Sequence, residues 1–148
     1  MQKEIRKLLC GFDEDDVFFG GGASTEQIIE CEKKLNVQFP DSYKWFIREY
    51  GFGGACETEI NGVNINSGSL KVVEETEYYR EFGLPKSMVV INSSIGPYIL
   101  CLDTSKMEKG ECPVVAWDQI EGEGLPEYKN FYEYYIEDLK RIIEDEGT

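Results

Sequence analysis

Residues 24–54, STEQIIECEKKLNVQFPDSYKWFIREYGFGG, leave few options other than two consecutive helices. Ser24 stands where an N-cap belongs, and Gln27 three residues on completes a capping box, so two backbone N–H groups at the helix start find side-chain oxygens. Ile28, Cys31 and Leu35 recur at helical spacing, and Asn36 can take the left-handed conformation that ends the helix. Pro40 then opens a second helix, where a missing N–H costs nothing. Tyr43, Phe46, Ile47 and Tyr50 form one apolar stripe at i, i+3, i+4 and i+7, closed by Gly51. Trp45 lies off that stripe, so it is either half-covered by another element or offered to a partner.

The remaining chain builds an α+β domain around this pair. Residues 2–10 read as a short amphipathic helix with Ile5, Leu8 and Leu9 inward, followed by an acidic loop of Asp13, Glu14, Asp15 and Asp16. That loop fails as an EF-hand, because Val17 and Phe18 fall where a ligand and the turn glycine are required. Gly20, Gly21 and Gly22 lack the lysine of a phosphate loop and read instead as a tight approach of the chain. Residues 58–65, with Asn61-Gly62 at the centre, suggest a hairpin or bent strand. Glu57 and Glu59 would share one face of that edge segment. Residues 70–82 return to helical spacing, with Val72, Thr76, Tyr79 and Phe82 on one face. Three strands are expected at 88–92, 98–102 and 113–117, linked through Gly96-Pro97 and Lys109-Gly110 and therefore antiparallel. Residues 128–146 read as a long helix with Phe131, Tyr135, Leu139 and Ile142 buried. Tyr132, Tyr134 and Tyr135 cannot all face the core, so one or two of them should show on the surface. The pattern describes a single domain over 1–148, an antiparallel sheet flanked by helices, with the terminal helices packed on a central portion at 24–118.

Composition bounds the chemistry. The chain has no histidine, which removes the commonest general base, imidazole-dependent triads and most zinc sites. Its five cysteines, Cys10, Cys31, Cys56, Cys101 and Cys112, are odd in number and never at C-x-x-C spacing, as expected of reduced thiols in the cytoplasm. Charged residues interrupt the N-terminal helix and no run of 18 apolar residues occurs, so neither a signal peptide nor a membrane span is expected. Fifteen Lys and Arg against 29 Asp and Glu leave a net charge of −14. Such a body repels phosphate backbones and anionic lipid, and attracts basic proteins. Direct nucleic-acid or membrane binding is not expected, and no cofactor or metal is implied. Carboxylate pairs such as Glu57 with Glu59, or Asp118 with Glu121 and Glu123, keep a small-substrate enzyme open as an alternative.

Several stretches, taken together and in order, resemble one known family. They are Glu32-x-x-Leu35, Phe39-Pro40-x-x-Tyr43, Phe46-Ile47, Gly51-x-Gly53-Gly54, Phe82-Gly83-Leu84-Pro85, Val89-Val90-Ile91, the run from Tyr98 to Asp103, and Gly110-Glu111-Cys112-Pro113-Val114-Val115-x-Trp117-Asp118. The family is the SUKH superfamily, named partly for fungal cell-wall regulators and populated in bacteria largely by toxin-immunity proteins; the chain looks most like the small YobK-type immunity proteins of Firmicutes. The resemblance implies a non-enzymatic, cytoplasmic protein that binds and neutralises a cognate toxin domain. A nuclease with a basic cleft is the partner that an acidic body would suit. A regulatory adaptor that binds several partners is the alternative. Residues offered for the contact are Asp13, Glu14, Asp15 and Asp16; Glu57 and Glu59; Trp117, Asp118, Glu121 and Glu123; and the aromatic anchors Trp45 and Tyr132.

Overall fold

A computed structural model describes residues 1–94 and 98–146; the side chains of Glu123 and Glu146, like the expected Gly96-Pro97 link, lie outside the described residues. Helix α1 spans Gln2–Cys10, followed by a single 3-10 turn at Glu14–Asp16 and strand β1 at Val17–Phe19. The helical pair is α2, Thr25–Leu35, and α3, Asp41–Tyr50. Strand β2, Gly53–Ala55, pairs antiparallel with β1 as a small ribbon. Helix α4, Lys71–Arg80, precedes four strands: β3 Met88–Asn92, β4 Tyr98–Asp103, β5 Val114–Asp118 and β6 Glu123–Tyr128. These form one antiparallel sheet in chain order, and α5, Phe131–Glu146, closes the domain.

Local chemistry explains the helical pair. The Ser24–Gln27 capping box is formed on both sides, and Asn36 is left-handed at φ 56°. Pro40 occupies the N-cap position of α3, where it offers no side-chain cap. The cap comes instead from far along the chain. The Glu111 carboxylate accepts the Ser42 N–H at 3.1 Å and the Ser42 hydroxyl at 2.5 Å, while Asp41 N–H donates to the Gly110 carbonyl at 2.8 Å. A negative group at a helix N-terminus also suits the helix dipole.

Packing divides at the sheet. One face carries Val89, Ile91, Leu100, Leu102 and Val114 into the main core with α3 and α5. Its centre is aromatic: Tyr43, Phe46, Phe131, Tyr134 and Tyr135 are all buried. The opposite face holds a smaller core of Met88, Val90, Ile99, Cys101, Val115 and Trp117, capped by Leu84 and Tyr79. The edge at β3 is sealed by side chains, with Val90 N–H donating to Thr76 Oγ1 at 2.9 Å and the Asn61 amide donating to the Val90 carbonyl at 3.3 Å.

Several expectations are corrected here. Asn61-Gly62 makes no hairpin: Asn61 turns inward, its N–H bonding the Ile91 carbonyl at 2.7 Å, and only an isolated bridge joins Gly53 to Ile60. Glu57 and Glu59 therefore stand in a turn and loop rather than on one face of a strand. Phe82 is 66% exposed because α4 ends at Arg80, before its ring could join the buried stripe. Tyr128 closes β6, and α5 starts only at Phe131, behind Asn130, whose side chain accepts the Glu133 N–H at 2.9 Å. Glu123 begins a fourth strand rather than trailing the last one.

Candidate functional site

Reactive side chains are scarce. Cys31, Cys101 and Cys112 are buried thiols in no disulfide. Burial, reinforced by Glu30 and Glu32, pushes the Cys31 thiol up to about 12. Burial with Glu111 and Asp103 pushes Cys112 up to about 12, and burial raises Cys101 as well. Such thiols stay protonated and are poor nucleophiles. Among the described residues, no three of His, Cys, Asp or Glu gather to hold a metal ion.

The two perturbed carboxylates lie inside the packing. Asp138, 2% exposed on α5, is bonded by the Arg141 guanidinium through Oδ1, while Oδ2 has no partner. Burial holds its carboxyl above the usual range, with Arg141 opposing the shift. Burial likewise raises Glu111 against the two bonds from Ser42. Both groups bind a proton more readily in the folded chain than in the unfolded one. Their contribution to stability is thus complete below the ordinary carboxylate pKa of about 4 and is lost as pH rises through the raised folded values. Thermal unfolding should show a higher midpoint near pH 5 than at pH 8, and Asp138→Asn should flatten that slope. A midpoint that falls steadily on acidification from pH 8 would refute the assignment.

Surface acids form two groups at different places. The β1–β2 ribbon joins two stretches far apart in sequence: Val17 pairs with Ala55, and Cys56 N–H donates to the Asp16 carbonyl at 2.6 Å. Asp13, Glu14, Asp15 and Asp16 are thereby brought beside Glu57 and Glu59. Among these acids stands Phe18, 65% exposed and edge-on to Phe52 at 5.7 Å. A cleft of about 270 Å³ lies between Phe18, Gly53, Gly54, Glu57 and Glu59. Cations stand near this end: Lys71, 3.1 Å from Glu59, and Arg141, which lines a neighbouring cleft with Glu57. A second cleft, of about 350 Å³, opens where the sheet ends, between Tyr98, Ala116, Asp118, Glu121, Leu125 and Glu127. Asp118 accepts the N–H groups of Ile120 and Glu121 at 2.9 and 3.3 Å.

The aromatic residues expected at the surface are mostly withdrawn. Trp45 is buried against Tyr50 and Tyr132, with the Arg6 guanidinium 5.5 Å above its ring. Tyr132 is half-buried and receives a hydrogen bond from Gln2 at 2.8 Å, tying α5 to α1. Trp117 belongs to the smaller core and lies over Gly124, where a Cβ would sit 3.2 Å from its ring. Phe18, Tyr98, Leu125 and Glu127 were not anticipated. Strand alternation carries the signal for Phe18, since Phe18 and Phe19 must point to opposite faces and one therefore faces solvent.

Fold and surface together define a helix-flanked antiparallel-sheet domain with two acidic clefts and three buried thiols held in their unreactive form. Its family can be stated as well: residues 4–140 match SUKH_5, described as SMI1-KNR4 cell-wall, and the chain belongs to that family. A crystal structure of a protein from Pseudomonas syringae pv. tomato is similar in fold, with a TM-score of 0.63 at 14% identity over 91% of this chain and 92% of that one. No helix among the described residues is long and apolar enough to cross a membrane.

Proposed function

We propose that this chain is a cytoplasmic immunity protein that binds a cognate toxin domain, a nuclease with a basic cleft, and blocks it without catalysis. The observation that carries this reading is the acidic end. Glu57 and Glu59 line a cleft with the exposed ring of Phe18, and the acidic run Asp13 to Asp16 ends on the backbone bond from Cys56 N–H to the Asp16 carbonyl beside them. Carboxylates in that number can stand in for the phosphates of a nucleic acid, and an aromatic ring among them supplies the desolvated anchor that charge alone lacks. Steering by a charged surface raises association rates by roughly 10–10³-fold. Speed matters when the target is the cell's own nucleic acid. Charge reversal at Asp13, Asp15 and Glu57 to lysine should slow association about tenfold or more at low salt. The same reversal at Glu26 and Glu30, on exposed positions of α2, should leave the rate within about twofold. The deciding experiment is co-expression with the C-terminal domain of a toxin encoded beside this gene, scoring survival and complex formation. Survival no better than that of cells lacking this chain would overturn the reading.

The family description, cell-wall, favours a second reading as a regulatory adaptor. An adaptor would bind several partners weakly and give no protection in that assay.

A further inference from the structure

We propose that the cleft at the open end of the four-stranded sheet is a contact surface of its own, taken by a basic segment of a protein partner that inserts one apolar side chain between Tyr98 and Leu125. The two sheet edges are treated differently. At β3 the backbone is occupied by Thr76 and Asn61, whereas among the described residues β6 pairs with β5 alone. Two large apolar side chains that line the cleft stand in solvent, Leu125 on β6 at 63% and Tyr98 on β4 at 49% exposure, and Ile120 in the β5–β6 turn is 92% exposed. Ala116, the small residue between Tyr98 and Leu125, leaves the hollow. Exposed apolar surface grouped around a concavity marks an interaction site more than scattered single residues do.

Charge selects the occupant. Asp118, Glu121 and Glu127 form the polar rim, and among the described residues neither lysine nor arginine lines the cleft. Two other clefts differ: those at α2 and between α1 and α5 include Lys33, and Lys3 with Lys7. An acidic rim around an apolar floor fits a segment in which lysine or arginine flanks a leucine- or phenylalanine-like side chain. It repels an anionic lipid surface. Addition of a further strand is disfavoured, since Pro126 sits inside β6 with no N–H. Recognition is thus by side chains in the cleft. The inference holds whichever protein meets the acidic end around Phe18.

The test uses the whole chain, labelled with nitrogen-15, titrated at low salt with the peptide KRLKR and with KRGKR. KRLKR should give saturable shifts at Tyr98, Ala116, Leu125 and Glu127, and KRGKR should bind about tenfold more weakly, reflecting the lost leucine. Leu125→Ser, which changes no charge, should bring the two peptides to equal affinity, and Ala116→Arg should abolish binding of both, each variant retaining the parent's thermal midpoint within a few degrees. Equal binding of the two peptides to the parent chain would overturn the proposal. So would shifts that track every exposed carboxylate, or a Leu125→Ser chain that still prefers KRLKR.

Discussion

Gly51→Ala should cost roughly 3–5 kcal/mol, at the upper end of what single substitutions do. Gly51 ends α3 at φ 77°, and a Cβ there would lie 2.0 Å from the Gly21 carbonyl oxygen and 2.9 Å from that of Val63. Its own carbonyl accepts the Val63 N–H at 2.9 Å and lies 1.8 Å from where a Cβ on Gly62 would go. Gly20 N–H meanwhile bonds the Phe52 carbonyl at 3.1 Å, and Ala23 N–H bonds the Ile47 carbonyl at 2.9 Å. Three chain segments thus cross at backbone distance, and a methyl group has nowhere to go without parting them. Gly68 is the control, because its φ is 78° and a Cβ there meets nothing within 4 Å. Gly68→Ala isolates the dihedral cost, about 1–2 kcal/mol. Urea titration of both variants separates the causes. Equal losses would mean that the left-handed dihedral, and not crowding, makes glycine necessary at Gly51.

That crossing shows what could be read from the chain alone and what could not. The triple glycine at 20–22 announced a close approach, and the Ser24 box, Asn36 and Gly51 stood where the structure has them, because capping and left-handed ends are decided within a few residues. Strands β3, β4 and β5 were legible through runs of β-branched residues and the short links between them. The β1–β2 ribbon was hidden: Val-Phe-Phe and Gly-Gly-Ala are three residues each, too short for a period, and their partners lie more than 30 residues apart. Strand β6 was hidden for another reason, since Gly124 and Pro126 contradict strand propensity and are tolerated only at an edge. Asn61-Gly62 misled because the same dipeptide that suits a two-residue turn also suits a buried amide sealing β3.

The candidate contact residues divide along the same line. Acids are solvated almost anywhere, so Asp13 to Asp16 and Glu57 could be named from composition, but their meeting depends on the ribbon. Trp45 lies off the stripe of its helix and could be half-covered or offered to a partner, as Tyr132 was; each covers the other, because α1 and α5 supply the second layer that a helical wheel of α3 alone omits. Asp138 could have been found. It falls four residues after Tyr134 and three after Tyr135, inside the buried stripe of α5.

Phe46→Ala should cost about 3–5 kcal/mol, the range for truncating a fully buried aromatic side chain. Phe46 is the ring through which the main core is joined. Its centroid lies 5.5 Å from Phe131 and 5.4 Å from Tyr135 on α5, 5.5 Å from Tyr50 on its own helix, and 6.4 Å from Phe19 on β1. Aromatic pairs of this kind add about 0.5–1.5 kcal/mol beyond burial of area, so deletion removes edge contacts as well as filling a void with nothing. Phe46→Leu keeps most of the volume and should lose less than half as much; denaturant midpoints, at unchanged m-value, measure the difference. The consequence reaches the surface through Phe19. That side chain, wedged on Phe46 and 4.5 Å from Tyr50, holds β1 against the body, and β1 holds the acidic loop beside Glu57. Amide exchange at Val17 to Gly20 in Phe46→Leu should therefore accelerate by a factor approaching that at Val89 to Ile91, where exchange through global unfolding reports the whole loss of stability. Unchanged exchange at Val17 to Gly20, with acceleration at Val89 to Ile91 alone, would mean that the acidic end is held by the ribbon's own hydrogen bonds and owes nothing to the aromatic core.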